Sequence, residues 1–186
     1  PIKGTRRRGA DAARDRALAL ELDADEKERA ELAMIVDVER NDLARVSATK
    51  TVRVLGAPRI ETHRTVHHRV ATVTGFAREG TSREDVLRAI LPSGSVTGAP
   101  KIRAMEVIRT LEPSRRGLYT GALGYVGHDG RTVLSMAIRT AVFDRDGSGE
   151  YFAGGGIVAD SSPDREVAET HWKAAQLVKL SGRSER

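Results

Sequence analysis

The sequence predicts an α+β fold. Strand-like and helix-like segments are interspersed without strict βαβ alternation, and the strand-like segments of the second half are joined by turns too short for a parallel crossover. With 186 residues and 39% hydrophobic content, the chain is long enough for one domain with a sizeable core, predicted over residues 1–186.

Residues 1–10 carry Gly4, the run Arg6, Arg7, Arg8, and Gly9, and read as an extended segment followed by a loop. Residues 12–22, rich in Ala, Leu and Arg, read as a helix. Asp23 or Asp25 offers the N-cap of a second helix to about residue 43, with Glu26 and Glu28 in its first turns, where the dipole favours acids. From 49 to 75 β-branched residues become dense, and the turn signal at Gly56, Ala57 and Pro58 predicts a hairpin of two strands. Thr81 or Ser82 caps a helix that runs through Ile90 and that Pro92 ends. A Gly-rich turn over 93–101 then leads to Pro100 at a first helical position, after which Ile102, Met105 and Ile108 recur at core spacing until Glu112 and Pro113.

Three antiparallel strands are expected over 118–126, 132–143 and 151–158. The last contains Gly154, Gly155 and Gly156, a run that fits either close approach of a ligand to the backbone or a bulge. Ser162 and Pro163 launch the final helix, and 181–186 reads as a flexible tail.

Composition narrows the setting. No Cys is present, which removes disulfides and thiolate metal sites, and no apolar run approaches the roughly 18 residues of a membrane span. A reducing, cytoplasmic location fits. The chain starts at Pro1 without an initiator Met and reads as part of a longer polypeptide. The net charge of +5 sits largely at the chain ends, and the 4% aromatic content offers no interleaved platform for stacking bases. Neither nucleic acid nor a membrane is therefore the expected partner. An anionic small molecule would use the same charge.

Two pairs of carboxylates stand out. Glu28 and Glu31 lie three residues apart on a helix, as do Glu166 and Glu169. At about 100° per residue, Glu28 and Glu31 share a side with Leu32 and Ile35, and Glu166, Glu169 and Lys173 share one with Leu177 and Leu180. Acids turned toward a core need a partner, either a divalent cation such as Mg²⁺ or the abundant Arg and Lys. The Gly-rich turn does not match a nucleotide phosphate loop: three residues, not four, separate Gly94 from Gly98, and Ala99 and Pro100 precede Lys101. What it offers is backbone N–H groups at a helix start, able to receive an anion such as a carboxylate. His67 and His68 are neighbours on one strand, so they face opposite sides.

The motifs Pro1-Ile-Lys-Gly-Thr5, Met34-Ile-Val-Asp37 with Arg40-Asn-Asp42, the Gly-Ser-Val-Thr-Gly-Ala-Pro-Lys stretch at 94–101 with Ala104-Met-Glu106, Ala137-Ile-Arg-Thr140, Gly154-Gly-Gly-Ile157 and Glu169-Thr-His-Trp-Lys173 occur in one order along the chain. Together they resemble the chorismate-utilising enzymes. The resemblance implies a sandwich of two large, mainly antiparallel β-sheets packed face to face, helices outside, of which this chain is the C-terminal portion. It implies an Mg²⁺ site at Glu31 and Glu169, adjoined by Glu28 and Glu166, with the cation holding a carboxylate of chorismate and helping its C4 hydroxyl to leave. Tyr119, Arg139, Gly154 and Lys173 match contacts to the substrate carboxylates, and Gly4, Thr5 and Ser95 match the pocket lining. His68 matches a histidine near the ring carbon that loses its hydroxyl.

Lys3 decides the subfamily at this stage. Where anthranilate synthases usually carry Ala, it matches the lysine that attacks C2 in one class of aminodeoxychorismate synthases, on the route to p-aminobenzoate and folate. That role needs a lowered pKa, for which Arg6, Arg7 and Arg8 are candidate causes. The expected activity is therefore 4-amino-4-deoxychorismate formation with ammonia from a glutamine amidotransferase; the alternatives are anthranilate synthesis or a catalytically incomplete chorismate-binding fragment. The resemblance also places a general-acid glutamate about sixteen residues before Lys3, ahead of Pro1, so that this stretch alone would lack one catalytic group.

Overall fold

The structure, a computed structural model, describes residues 1–158 and 161–180; the side chains of 176–180 lie outside the described residues, so the expected placement of Leu177 and Leu180, like the tail at 181–186, is not addressed. The chain divides into two compact units, Pro1–Val107 and Ile108–Arg186.

In the first unit, β1 (Ile2–Arg7), β3 (Arg59–Thr62) and β4 (Val66–Val70) form an antiparallel sheet in the order β1-β4-β3, and β2 (Arg53–Val54) pairs with β5 (Val73–Thr74). The hairpin expected over 49–75 is thus four short strands. Gly56, Ala57 and Pro58 separate strands of different sheets, and the true β3–β4 hairpin turns at His63, Arg64 and Thr65, which carry no Gly or Pro to announce it. Helix α1 (Ala12–Ala24) is capped by Asp11, whose side chain accepts from the N–H groups of Ala13 and Arg14. Helix α2 (Glu26–Ala44) is capped by Asp25, which accepts from Glu28 N. Its apolar stripe buries Leu32, Ile35 and Val36, and Leu32 and Val36 pack with Ala71, Val54 and Val73. Helix α3 (Arg83–Ile90) starts in a capping box between Ser82 and Asp85. A single turn, α4 (Gly94–Thr97), and helix α5 (Lys101–Leu111) follow, and the boundary between the units falls within α5.

In the second unit, β6 (Ala122–Val126) pairs with β7 (Thr132–Met136), and β8 (Ala141–Phe143) with β9 (Gly149–Tyr151), both antiparallel. Helix α6 (Pro163–Leu180) closes the described chain. The expected strand 132–143 is broken after Met136, where Arg139 adopts φ +51°, and residues 152–158 form no strand. The α+β class is the one observed, with four small antiparallel sheets among the described residues. The expected burial of Ile102 and Met105 is corrected: α5 has no buried residue, and Ile102 is 61% exposed. No helix among the described residues is long and apolar enough to cross a membrane.

His67 is the buried centre of a polar cluster between β4 and α1. Its Nε2 lies 3.0 Å from Asp15 Oδ1 and its Nδ1 2.9 Å from Thr62 Oγ1. Asp15 also accepts two hydrogen bonds from Arg8, at 2.8 and 2.7 Å, and one from Gly9 N at 2.8 Å. Arg8 first, then Gly9, holds the Asp15 carboxyl well below the usual carboxylate range. A depressed carboxyl contributes stability above its unfolded pKa, near 3.9, and that contribution is lost as pH falls through the folded value. The Asp15→Asn variant is expected to unfold at lower urea than the parent at pH 7, with the gap narrowing as the pH is taken below about 4. A gap that stays constant down to acid pH would contradict this.

Candidate active site

The candidate residues fall in both units. In the first unit, the register of β1 on β4 shifts between Ile2 and Thr5, and Gly4 at this irregularity has φ +89°. The left-handed backbone favours glycine, and so does space, since a Cβ would stand 2.8 Å from Leu22 Cδ1 and 3.3 Å from Glu28. The irregular strand lays Lys3 and Gly4 against the first turns of α2. Lys3 Nζ is 3.5 Å from Glu31 Oε2, and Arg6 Nη1 is 3.6 Å from Glu28 Oε1. Both glutamates are half-buried, on the side of α2 that buries Leu32 and Ile35, in keeping with the helical periodicity.

One strand pair away, Thr5 faces His68, and Thr5 Oγ1 lies 2.9 Å from His68 Nδ1. His68 points away from the buried His67, as strand alternation requires. Lys3 and Gly4 thus meet Glu31 and Glu28, while Thr5 and His68 meet each other on the next positions of β1 and β4. Ser95 stands farther along α2. It contacts Ser93, which contacts Glu39, and Glu39 lies about 16 Å along α2 from Glu28 at 1.5 Å per residue.

Two of the three arginines beside Lys3 are bonded to acids. Arg6 is bonded to Glu21 at 2.9 Å and Asp25 at 2.8 Å, and Arg8 to Asp15. Their charges are matched by acids, and Lys3 has Glu31 as its own counter-ion.

In the second unit, Tyr119 lies with its ring stacked on Phe152, centroids 5.7 Å apart, and with the Arg116 guanidinium 5.6 Å from the Tyr119 centroid. Burial pushes the Tyr119 phenol above its usual value, against the opposing charge of Arg116, so it stays a proton donor at neutral pH. The glycine run now has a reason. A Cβ on Gly154 would stand 2.9 Å from the Tyr119 hydroxyl, and one on Gly155 2.6 Å from Glu166 Oε2. Lys173 donates to Gly154 O at 2.9 Å and pairs with Glu169 at 2.6 Å. Tyr119, Gly154, Lys173, Glu169 and Glu166 are thus brought together around the irregular segment after β9. Arg139 lies between β7 and β8, exposed, with no protein partner for its guanidinium among the described residues.

Glu166 tests whether these residues suit a cation. Ser161 Oγ donates to its Oε1 at 2.8 Å, while Oε2 is buried with no hydrogen-bond partner among the described residues. A buried carboxylate oxygen without a donor is costly, and a hard divalent cation such as Mg²⁺ would satisfy it. That oxygen suits such an ion, and among the described residues no three His, Cys, Asp or Glu side chains gather into a metal-binding group. A cavity in the first unit, lined by Arg45, Arg78, Asp85 and Arg88 among others, contains none of the candidate residues.

Sequence reasoning gave Asp42 no role beyond its motif, and missed Glu39, Arg116 and Phe152. The helical stripe through Glu28, Glu31, Leu32, Ile35, Glu39 and Asp42 carried the signal for the first two; the ring stack and its guanidinium depend on tertiary contacts and had none.

The chain matches the family model described as chorismate binding enzyme over residues 1–179. It is 50% identical over 179 residues to anthranilate synthase component 1 of Aquifex aeolicus, covering 96% of this chain and 36% of that protein. To the Pseudomonas putida protein of the same name it is 52% identical over 170 residues, 91% of this chain and 34% of the relative. Among solved structures, anthranilate synthase component I from Streptococcus pneumoniae is similar with a TM-score of 0.79 at 44% identity, over 89% of this chain and 38% of that one. The menaquinone-specific isochorismate synthase of Escherichia coli gives 0.79 at 27% identity, over 96% and 40%.

The chain therefore belongs to the chorismate-binding enzymes. It spans little more than a third of the length of the curated relatives it matches. The expectation of an aminodeoxychorismate synthase, and with it the p-aminobenzoate and folate assignment, is overturned by relatives at about 50% identity named anthranilate synthase component 1. One residue in one motif, Lys3, is outweighed by identity spread along nearly the whole chain.

Proposed function

We propose that this chain is the chorismate-binding portion of an anthranilate synthase component I, in which chorismate and ammonia yield anthranilate, pyruvate and water. The reading rests on the identity of about 50% to proteins of that name over almost the entire chain. Arg139, Tyr119 and Lys173 would hold the substrate carboxylates, Arg139 through its planar fork and Tyr119 through its retained phenolic proton. Gly154 leaves its backbone open to the same group, and Gly4, Thr5 and Ser95 would line the pocket. His68, hydrogen-bonded to Thr5, would handle a proton near the ring carbon that loses its hydroxyl. Glu28, Glu31, Glu166 and Glu169 would hold Mg²⁺, which when bound supplies Lewis acidity toward a substrate oxygen. A partner glutamine amidotransferase in the cytoplasm would deliver the ammonia.

Full-length enzyme given chorismate, ammonia and Mg²⁺ is expected to produce fluorescent anthranilate and pyruvate in equal amounts. An aminated product without pyruvate would reject the reading.

Lys3 takes a new part in it. We assign it as the counter-ion of Glu31, not as a nucleophile. The Lys3→Ala variant is then expected to keep anthranilate formation within about tenfold of the parent, the loss of one partly exposed ion pair. Mass spectrometry of the parent quenched with chorismate and Mg²⁺ is expected to show no adduct on Lys3; an adduct there would overturn the assignment.

A further inference from the structure

Two of the motifs that carry the resemblance, the Asn-Asp at 41–42 and the lysine that ends the Gly-rich stretch, have no part in the site as described. The structure joins them. Lys101 Nζ stands 2.7 Å from Asp42 Oδ2, with the two side chains 11% and 4% exposed, and donates a further hydrogen bond to Ala89 O at 3.1 Å. The same Asp42 oxygen accepts from Gly94 N at 3.2 Å. The backbone donor that the sequence offered to an outside anion is thus taken by a carboxylate of the protein itself.

The turn between these groups is held on its other side by α2 as well. Ser93 Oγ donates to Glu39 Oε1 at 2.5 Å and lies 2.6 Å from Ser95 Oγ, while Ser95 N donates to Ser93 Oγ at 3.1 Å. Gly94 sits so close to α2 that a Cβ there would collide with Val38. Gly98, at φ +130°, lets the chain reverse so that Lys101 returns to Asp42. The Ser95 N–H and hydroxyl both meet Ser93, which α2 holds through Glu39, and the buried ion pair spans the two ends of the turn.

We infer that Asp42 and Lys101 are positioning residues: their ion pair latches the 93–98 turn onto α2 and so sets where Ser95 stands toward chorismate. The part concerning Ser95 rests on the proposed function; the latch itself does not. The chemistry of Lys101 also follows. A buried ammonium already paired with a carboxylate and a carbonyl is not a phosphate or substrate ligand.

The test uses full-length enzyme carrying Lys101→Met together with Asp42→Asn. The double variant leaves no lone buried charge and keeps an acceptor for Gly94 N. Lys101→Arg serves as the conservative comparison. Hydrogen exchange read by mass spectrometry is expected to rise at least tenfold in the peptide covering 93–98, with peptides of β6 and β7 unchanged, and Lys101→Arg is expected to recover part of the protection. Chorismate KM is expected to rise about tenfold while kcat stays within threefold. Unchanged exchange at 93–98 would overturn the latch. Faster exchange with an unchanged KM would overturn its positioning role. Faster exchange in a protein whose parent neither binds nor turns over chorismate would reject the functional reading and leave the latch standing.

Discussion

The parent full-length enzyme is expected to be stabilised by Mg²⁺ and the Glu166→Gln variant is not, while the metal-free variant is expected to unfold at the same temperature as the parent or higher. The sign of the second effect comes from the structure. Glu166 Oε2 is buried without a donor among the described residues, so the metal-free protein carries an unmet desolvation cost there. A neutral amide lowers that cost and removes the charge that a cation would meet. A ligand that binds only the folded state adds about 2.7 kcal/mol at a hundred times its Kd, and the variant should retain little of it. Anthranilate formation should fall on the order of 10²-fold or more, as when a preorganised charge is lost from a reacting centre. Calorimetric scans of both proteins across an Mg²⁺ series decide the matter. A variant that still shifts with Mg²⁺ as the parent does would show that the cation is held elsewhere.

Arg139→Gly is expected to separate function from stability. Arg139 holds φ +51°, a backbone region that costs an L-residue on the order of 1 kcal/mol and that glycine enters freely. The substitution should therefore leave the melting temperature unchanged or raise it slightly. Its guanidinium has no protein partner among the described residues, so its removal breaks no internal contact. If the guanidinium binds a chorismate carboxylate, its loss costs about 3 kcal/mol, on the order of 10² in KM. Arg139→Lys should recover only part of the affinity, because an ammonium cannot reproduce a two-point fork. An unchanged KM in the glycine variant would remove Arg139 from the substrate site. The left-handed backbone and a cation without a partner among the described residues occur at the same residue, which makes it a position to test for function.

How much of this was legible in the sequence follows the range of each interaction. The ends of α2 and α3 were readable because caps are local: Asp25 accepts from a residue three positions away, and Ser82 and Asp85 close a capping box within one turn. The half-buried setting of Glu28 and Glu31 followed from helical periodicity alone. The opposite facing of His67 and His68 followed from the pleat. Motif order carried the family, since each motif is a contiguous string.

Other features depended on residues far apart in the chain. The register irregularity at Gly4, which lays Lys3 on Glu31, exists because β1 pairs with a strand more than sixty residues later. The three consecutive arginines looked like a field able to depress the pKa of Lys3, yet Arg6 and Arg8 are each met by acids of α1 and its flanks. The purpose of Gly154 and Gly155 emerged only with the Tyr119 hydroxyl and the Glu166 carboxylate beside them. Lys101 and Asp42 stand 59 positions apart, and no periodicity links them. The sequence by itself determined the class of fold, most helix starts, the acids and the family, all written in contiguous stretches or fixed periods. The tertiary structure decided which charges are already matched and which remain open to a ligand, because pairing depends on distance in space.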